Sequence, residues 1–98
     1  MSLPVVLRVE AQADFDEAFD WYEAQRAGLG TDFATAVQQV FDRISVNPLM
    51  HAEVFQNVRK ALVQRFPYGV FYQVEAGQIL ILAVFHAKRD PSIWQGRV

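Results

Sequence analysis

The sequence predicts an α+β fold of the order β-α-α-β-β-β, a small, mainly antiparallel sheet packed against an N-terminal helical hairpin. Two consecutive early stretches space their apolar residues at the helical period, and three later stretches are short, apolar and β-branched. Glycine and proline clusters punctuate the boundaries between them. At 98 residues the chain fits one domain, 1–98, because chains divide into separate cores only well above this size. A composition of 52% hydrophobic and 20% charged residues is that of a core-former and excludes disorder.

Pro4 to Val9 is β-branched and apolar, with proline at its start where a missing N–H is tolerated, and predicts a strand over 4–9. From Ala11 to Gln25, Phe15, Ala18, Phe19 and Tyr22 fall on one helical face. Asp14, Glu17, Asp20 and Glu23 are read as its solvated exterior. Gly28 and Gly30 supply the turn into a second helix, capped by Thr31 or Asp32, with a stripe of Phe33, Val37, Val40, Phe41 and Ile44. That helix stops at Asn47-Pro48, since proline disfavours helical geometry in the residue before it. The segment up to Val58 reads as a loop.

Strands follow over 58–64, 70–74 and 79–85, the last two joined by Glu75-Ala76-Gly77-Gln78, so 57–86 is an antiparallel meander. Ile79 to Phe85 has no polar alternation, so both faces of that strand need cover and it lies inside the sheet. The helical hairpin covers one face. The C-terminal segment around Ile93 and Trp94, or another chain, covers the other.

No apolar run reaches the ~20 residues of a membrane span, and the first residues lack the features of a signal peptide, so a cytoplasmic protein is expected. The absence of cysteine excludes disulfides and thiolate chemistry. Neither His51 nor His86 has a metal-ligand partner at suitable spacing, and no phosphate loop or nucleophile elbow is present, so neither metal nor cofactor is expected. His51 reads as an ordinary surface or packed residue, whereas His86, at a strand end, can face a groove.

The net charge of −2 conceals a division. Residues 1–56 carry three arginines against nine carboxylates; residues 57–98 carry six cations against two. A segregated basic half steers anionic partners even when total charge is small. Arg59, Lys60, Arg65, Lys88 and Arg89 are the candidate contacts, with Tyr68, His86 and Trp94 as neighbours, and Lys88-Arg89 are expected to approach Arg59-Lys60 across the meander. Such a set suits nucleic acid, an acidic peptide, or merely a strand edge protected from aggregation. Lys, Arg and Tyr packed around a phosphodiester can also support metal-independent RNA cleavage, with Arg59, Arg65, Tyr68, His86 and Arg89 as candidates.

The element order and several motifs resemble the RelE/ParE superfamily of bacterial type II toxins, also labelled plasmid stabilisation proteins. The carrying residues are Asp14 through Trp21-Tyr22-Glu23, Leu29-Gly30-Thr31-Asp32-Phe33, Ile44-Ser45-Val46-Asn47-Pro48, Arg59 to Tyr68 with Val70-Phe71-Tyr72, and Ala83 through Pro91 with Trp94 and Arg97. The resemblance implies growth inhibition and a cognate antitoxin that wraps the toxin as a hetero-oligomer. RelE-like members cleave mRNA on the ribosome; ParE-like members poison DNA gyrase. Gly69-Val70 and Leu62 stand where RelE-like toxins tend to place arginine and lysine, and Ile93-Trp94-Gln95 where they often place tyrosine. The chain is therefore nearer the ParE-like branch, with gyrase as the expected target and ribosome-dependent mRNA cleavage as the alternative.

Overall fold

A computed structural model describes residues 2–98. Strand β1 (Val5–Leu7) is followed by helices α1 (Val9–Gln25) and α2 (Leu29–Val46), strands β2 (Glu53–Phe55), β3 (Val58–Leu62), β4 (Tyr68–Glu75) and β5 (Gln78–His86), and a helical turn, α3 (Ser92–Gln95). The five strands form one sheet in the order β1-β5-β4-β3-β2, with β1 parallel to β5 and every other pairing antiparallel. The expected architecture is present, and β5 is flanked on both sides. Two elements are additional: β2, inside the segment read as a loop, and α3.

The first strand ends earlier than predicted. Leu7 pairs with Ile81, Arg8 still donates its N–H to Ile81 O at 3.0 Å, and Gln12 N–H then donates to Arg8 O, so the helix starts at once. Helix α1 buries Ala11, Asp14, Ala18 and Tyr22, a stripe rotated from the one read in the sequence. Its alanines let the helix lie close on β5.

Neither Thr31 nor Asp32 caps α2. The helix begins at Leu29, after Gly28 at φ +89°. Glu23 of the preceding helix does the capping: its carboxylate accepts the N–H groups of Gly28 and Gly30, each at 2.9 Å. Gly30 is required by proximity, because a Cβ there would lie 2.8 Å from Phe19 O and 2.9 Å from the Glu23 carboxylate. At the other end Asn47 N–H bonds Arg43 O, and the helix stops where proline predicts.

Two-residue turns with positive φ close both outer hairpins: Gln56-Asn57 between β2 and β3, and Ala76-Gly77 between β4 and β5. Their backbone matches the twist of the flanking strands. Opposite Phe71 and Tyr72 the register of β5 slips by one residue, which puts Leu82 and Ala83 together on the face away from the helices. The helical hairpin covers Ala61, Val70, Tyr72, Ile79, Ile81 and Val84. Trp94 of α3 closes the other face over Phe71, Leu82 and Phe85, so the chain supplies its own cover there, while Ile93 points outward.

Because β1 ends at Leu7, the outer rail of β5 runs on without a strand partner. Two charged side chains take the strand's place. Asp14 accepts the Val84 N–H at 3.2 Å, and Arg97 donates to Leu82 O at 3.1 Å. Arg97 also grips Asp14 through both guanidinium nitrogens, at 2.6 and 3.2 Å, and Arg8 holds the Arg97 carbonyl at 2.7 Å. Asp14 is thus not part of a solvated helix face, as the charge pattern suggested; it is buried against the sheet.

His51 is packed edge-on to Tyr72 at 6.4 Å. Its pKa is lowered by burial and then by the nearby positive charge of Arg43.

Three outcomes are expected. Breaking a buried pair strands a charge, so Asp14→Ala or Arg97→Ala should each cost about 3–5 kcal/mol in chemical denaturation, with the double variant costing clearly less than the sum. Gly30→Ala should cost about 1–3 kcal/mol, since its methyl meets a backbone carbonyl that has no rotamer to change. The unfolded chain protonates His51 first, near pH 6.5. Stability should therefore be at its plateau above that pH and fall as acid is added, and His51→Gln should flatten this slope in pH-dependent unfolding.

Candidate functional site

The far-face end of β3, β4 and β5 forms a groove of about 470 Å³, whose lining includes Lys60, Leu62, Phe71, Phe85, Arg89 and Trp94. Strand register explains who meets there. Leu62 pairs with Gly69, which pairs with Phe85, and β3 and β5 run in the same direction. The end of β5 therefore lies beside the end of β3, not its start.

That geometry separates the basic residues expected to cluster. Arg59 pairs with Tyr72 at the opposite end, and its guanidinium donates to the carbonyls of Leu49 and His51 and contacts Glu53. It fastens the loop after α2 and is not in the groove. Lys60, on the other face, reaches across Gly69, whose missing Cβ would lie 3.0 Å from the lysine Cε. The ammonium lies 5.6 Å from the Phe71 ring centre. Arg65 occupies the turn before β4 at φ +72°, exposed, with its guanidinium 5.9 Å from the Phe66 ring centre and outside the groove lining. Lys88 is exposed, and only its backbone engages the site. Arg89 lies over Phe85 at 4.1 Å.

Trp94 contributes differently from the accessible neighbour expected. It is 4% exposed, stacked on Phe71 at 4.3 Å and edge-on to Phe55 at 5.8 Å. It forms the floor of the groove, leaving its ring unavailable for stacking on a base. Asp90 steadies this floor by accepting the Ser92 N–H at 3.0 Å. Sequence reasoning missed Phe71 and Phe85 as the platforms for cations, and Leu62 and Val54 as exposed apolar walls. The alternation of Lys60 with Leu62 was the signal for Leu62; the phenylalanines read only as core.

Tyr68 pairs with His86 across β4 and β5, their rings edge to face at 5.1 Å, and together they form a wall between the groove and a second cavity beside α1. Burial pushes the Tyr68 phenol up; Tyr22 and Glu17 add to this, while Arg89 opposes it. The phenol therefore stays protonated near neutral pH and can donate a hydrogen bond. His86 Nδ1 accepts the Lys88 backbone N–H at 3.0 Å. In the neutral ring this leaves the proton on Nε2, so the outward nitrogen also donates. The wall offers hydrogen-bond donors and the groove offers cations over rings, an arrangement suited to holding anionic or polar groups of a partner.

Among the described residues no group of three His, Cys, Asp or Glu side chains converges to hold a metal ion, and no helix is long and apolar enough to cross a membrane. Residues 5–91 match the family described as the ParE toxin of the type II toxin–antitoxin system, parDE. Among solved structures the chain is similar to one titled the chromosomal ParDE TA system from P. aeruginosa, with 19% identity and a TM-score of 0.74 over 87% of this chain and 96% of that one. At that identity the likeness bears on the fold alone. A comparison with curated proteins found no match. With the family match spanning nearly the whole sequence, the chain belongs to the ParE toxin family of type II toxin–antitoxin systems.

Proposed function

We propose that this toxin arrests growth by binding DNA gyrase through the far-face groove, and that a cognate antitoxin neutralises it by forming a hetero-oligomer. The observation that carries the binding reading is the state of the Tyr68–His86 wall. Burial, with Tyr22 and Glu17, raises the phenol pKa and keeps it protonated, and His86 Nδ1 is engaged by the Lys88 N–H. RNA cleavage begins with removal of a proton from the attacking 2′-hydroxyl, and general-base catalysis needs an acceptor within hydrogen-bond reach. Lys60 and Arg89, each held over a phenylalanine, and the exposed Leu62 beside them make a mixed basic and apolar surface. Surfaces of this kind anchor protein partners.

The same surface supports an antitoxin segment that is acidic and amphipathic. Lys60 and Arg89 give this face its positive charge, and a disordered acidic segment that folds on it would gain both charge complementarity and apolar cover. Neutralisation then follows from occupation of the groove.

Expression of the chain alone in bacteria should produce gyrase-linked DNA breaks while mRNA stays intact, and co-expression with its antitoxin should restore growth. In a supercoiling assay with purified gyrase, Lys60→Ala and Arg89→Ala should each weaken inhibition by about 5–30-fold, graded rather than absolute, as expected when a partner contact at an interface is trimmed. New mRNA 5′ ends in translated frames, lost on Arg89→Ala, would overturn this reading in favour of a ribosome-dependent ribonuclease.

A further inference from the structure

The cavity on the helix side of the Tyr68–His86 wall shares Arg89 with the groove but adds carboxylates that the groove lacks. It encloses about 480 Å³, and its lining includes Asp14, Glu17, Trp21, Tyr68, His86 and Arg89. Trp21 is 58% exposed and edge-on to Tyr22 at 5.1 Å, so a large aromatic face is held in place yet open to solvent. Elsewhere the chain lays its own cations over phenylalanine: Lys60 over Phe71, Arg65 over Phe66, and Arg89 and Arg97 over Phe85. Among the described residues none lies over Trp21 or Tyr68.

The carboxylates complete the asymmetry. Asp14 is neutralised by Arg97, with Arg89 at 4.0 Å as a more distant neighbour, whereas Glu17 enters no ion pair among the described residues. Glu17 and Arg89 act on the Tyr68 phenol in opposite directions, the carboxylate raising its pKa and the guanidinium lowering it. Aromatic faces joined to a free carboxylate in a partly enclosed site favour a cation.

We infer that this cavity is a receptor for a cationic side chain, arginine or lysine, carried by a protein partner, with Trp21 and Tyr68 supplying the aromatic faces and Glu17 the countercharge. The inference holds whichever macromolecule the far-face groove engages, because Glu17 and Trp21, which carry it, line this cavity and not the groove. A partner segment crossing the wall would place its acidic residue against Lys60 and Arg89 and its basic residue against Glu17, which gives the complex a direction as well as an address.

The test is a titration of the isotope-labelled toxin with N-acetyl-arginine and N-acetyl-lysine methylamides, followed by NMR through the two indole N–H signals. Trp21 should shift saturably with a dissociation constant on the order of 1–20 mM, as suits a single side chain, while the buried Trp94 signal stays still. Glu17→Gln should weaken binding by about 5-fold or more, Trp21→Phe should keep it, and Trp21→Ala should abolish it. Both positions are exposed, and an unchanged remainder of the spectrum verifies the fold of each variant. Equal shifts with the neutral norleucine analogue or with the glutamate analogue, or no Trp21 shift with either cationic analogue up to about 200 mM, would overturn the inference. Tighter binding of choline than of either amino-acid analogue would overturn the protein source in favour of a small ammonium ligand.

Discussion

Asp14 and Arg97 stand 83 positions apart in the chain and meet at 2.6 Å where the parallel partner of β5 runs out. A sheet edge buried beneath a helix cannot leave its N–H and C=O groups unpaired, because each would forfeit its hydration without compensation. A fourth and fifth residue of β1 would solve this, but the chain turns into α1 at Arg8 instead. The ion pair substitutes for the missing backbone, with the carboxylate taking the Val84 N–H and the guanidinium satisfying the Leu82 carbonyl. One interaction thereby joins the first helix, the last long strand and the C-terminal residues, two positions after the end of α3.

The far face depends on that placement. Trp94 belongs to the turn just before Arg97, and its stacking on Phe71 forms the floor of the groove. The one-residue slip in β5 matters equally, since it turns Leu82 and Ala83 to the same side and gives the indole an apolar bed. Lys60 and Arg89 flank this bed with their charges over Phe71 and Phe85, so the cations are held by the surface rather than free in solvent. Packing and charge presentation are here the same structure seen from its two sides.

Burial has a second effect at the strand ends. Tyr68 and His86 have the residue types of acid–base chemistry, but desolvation holds the phenol proton more tightly and the Lys88 N–H engages His86 Nδ1. A surface that presents donors and cations on one side, and a carboxylate with the open indole of Trp21 on the other, can recognise a partner by orientation. It relates both cavities to a single wall of two rings, as the proposed binding mode requires.

Much of this molecule is determined by local sequence. Helical periodicity, Asn47-Pro48 and the Ala76-Gly77 turn define α2, its end and the β4–β5 hairpin; the uninterrupted apolar run from Ile79 places β5 inside the sheet. These are short-range properties, set by backbone geometry and by which side chains can be solvated. The three residues of β2 were not legible because so short a strand shows no period and its Gln56-Asn57 turn lacks glycine. The site was legible only in its residue types. Which cations converge is a matter of strand direction and register, and these put Lys60 in the groove and turn its neighbour Arg59 to the other face. Asp14 was misplaced for the same reason: a carboxylate is expected in water until a partner remote in sequence neutralises it, and only the assembled fold brings Arg97 there.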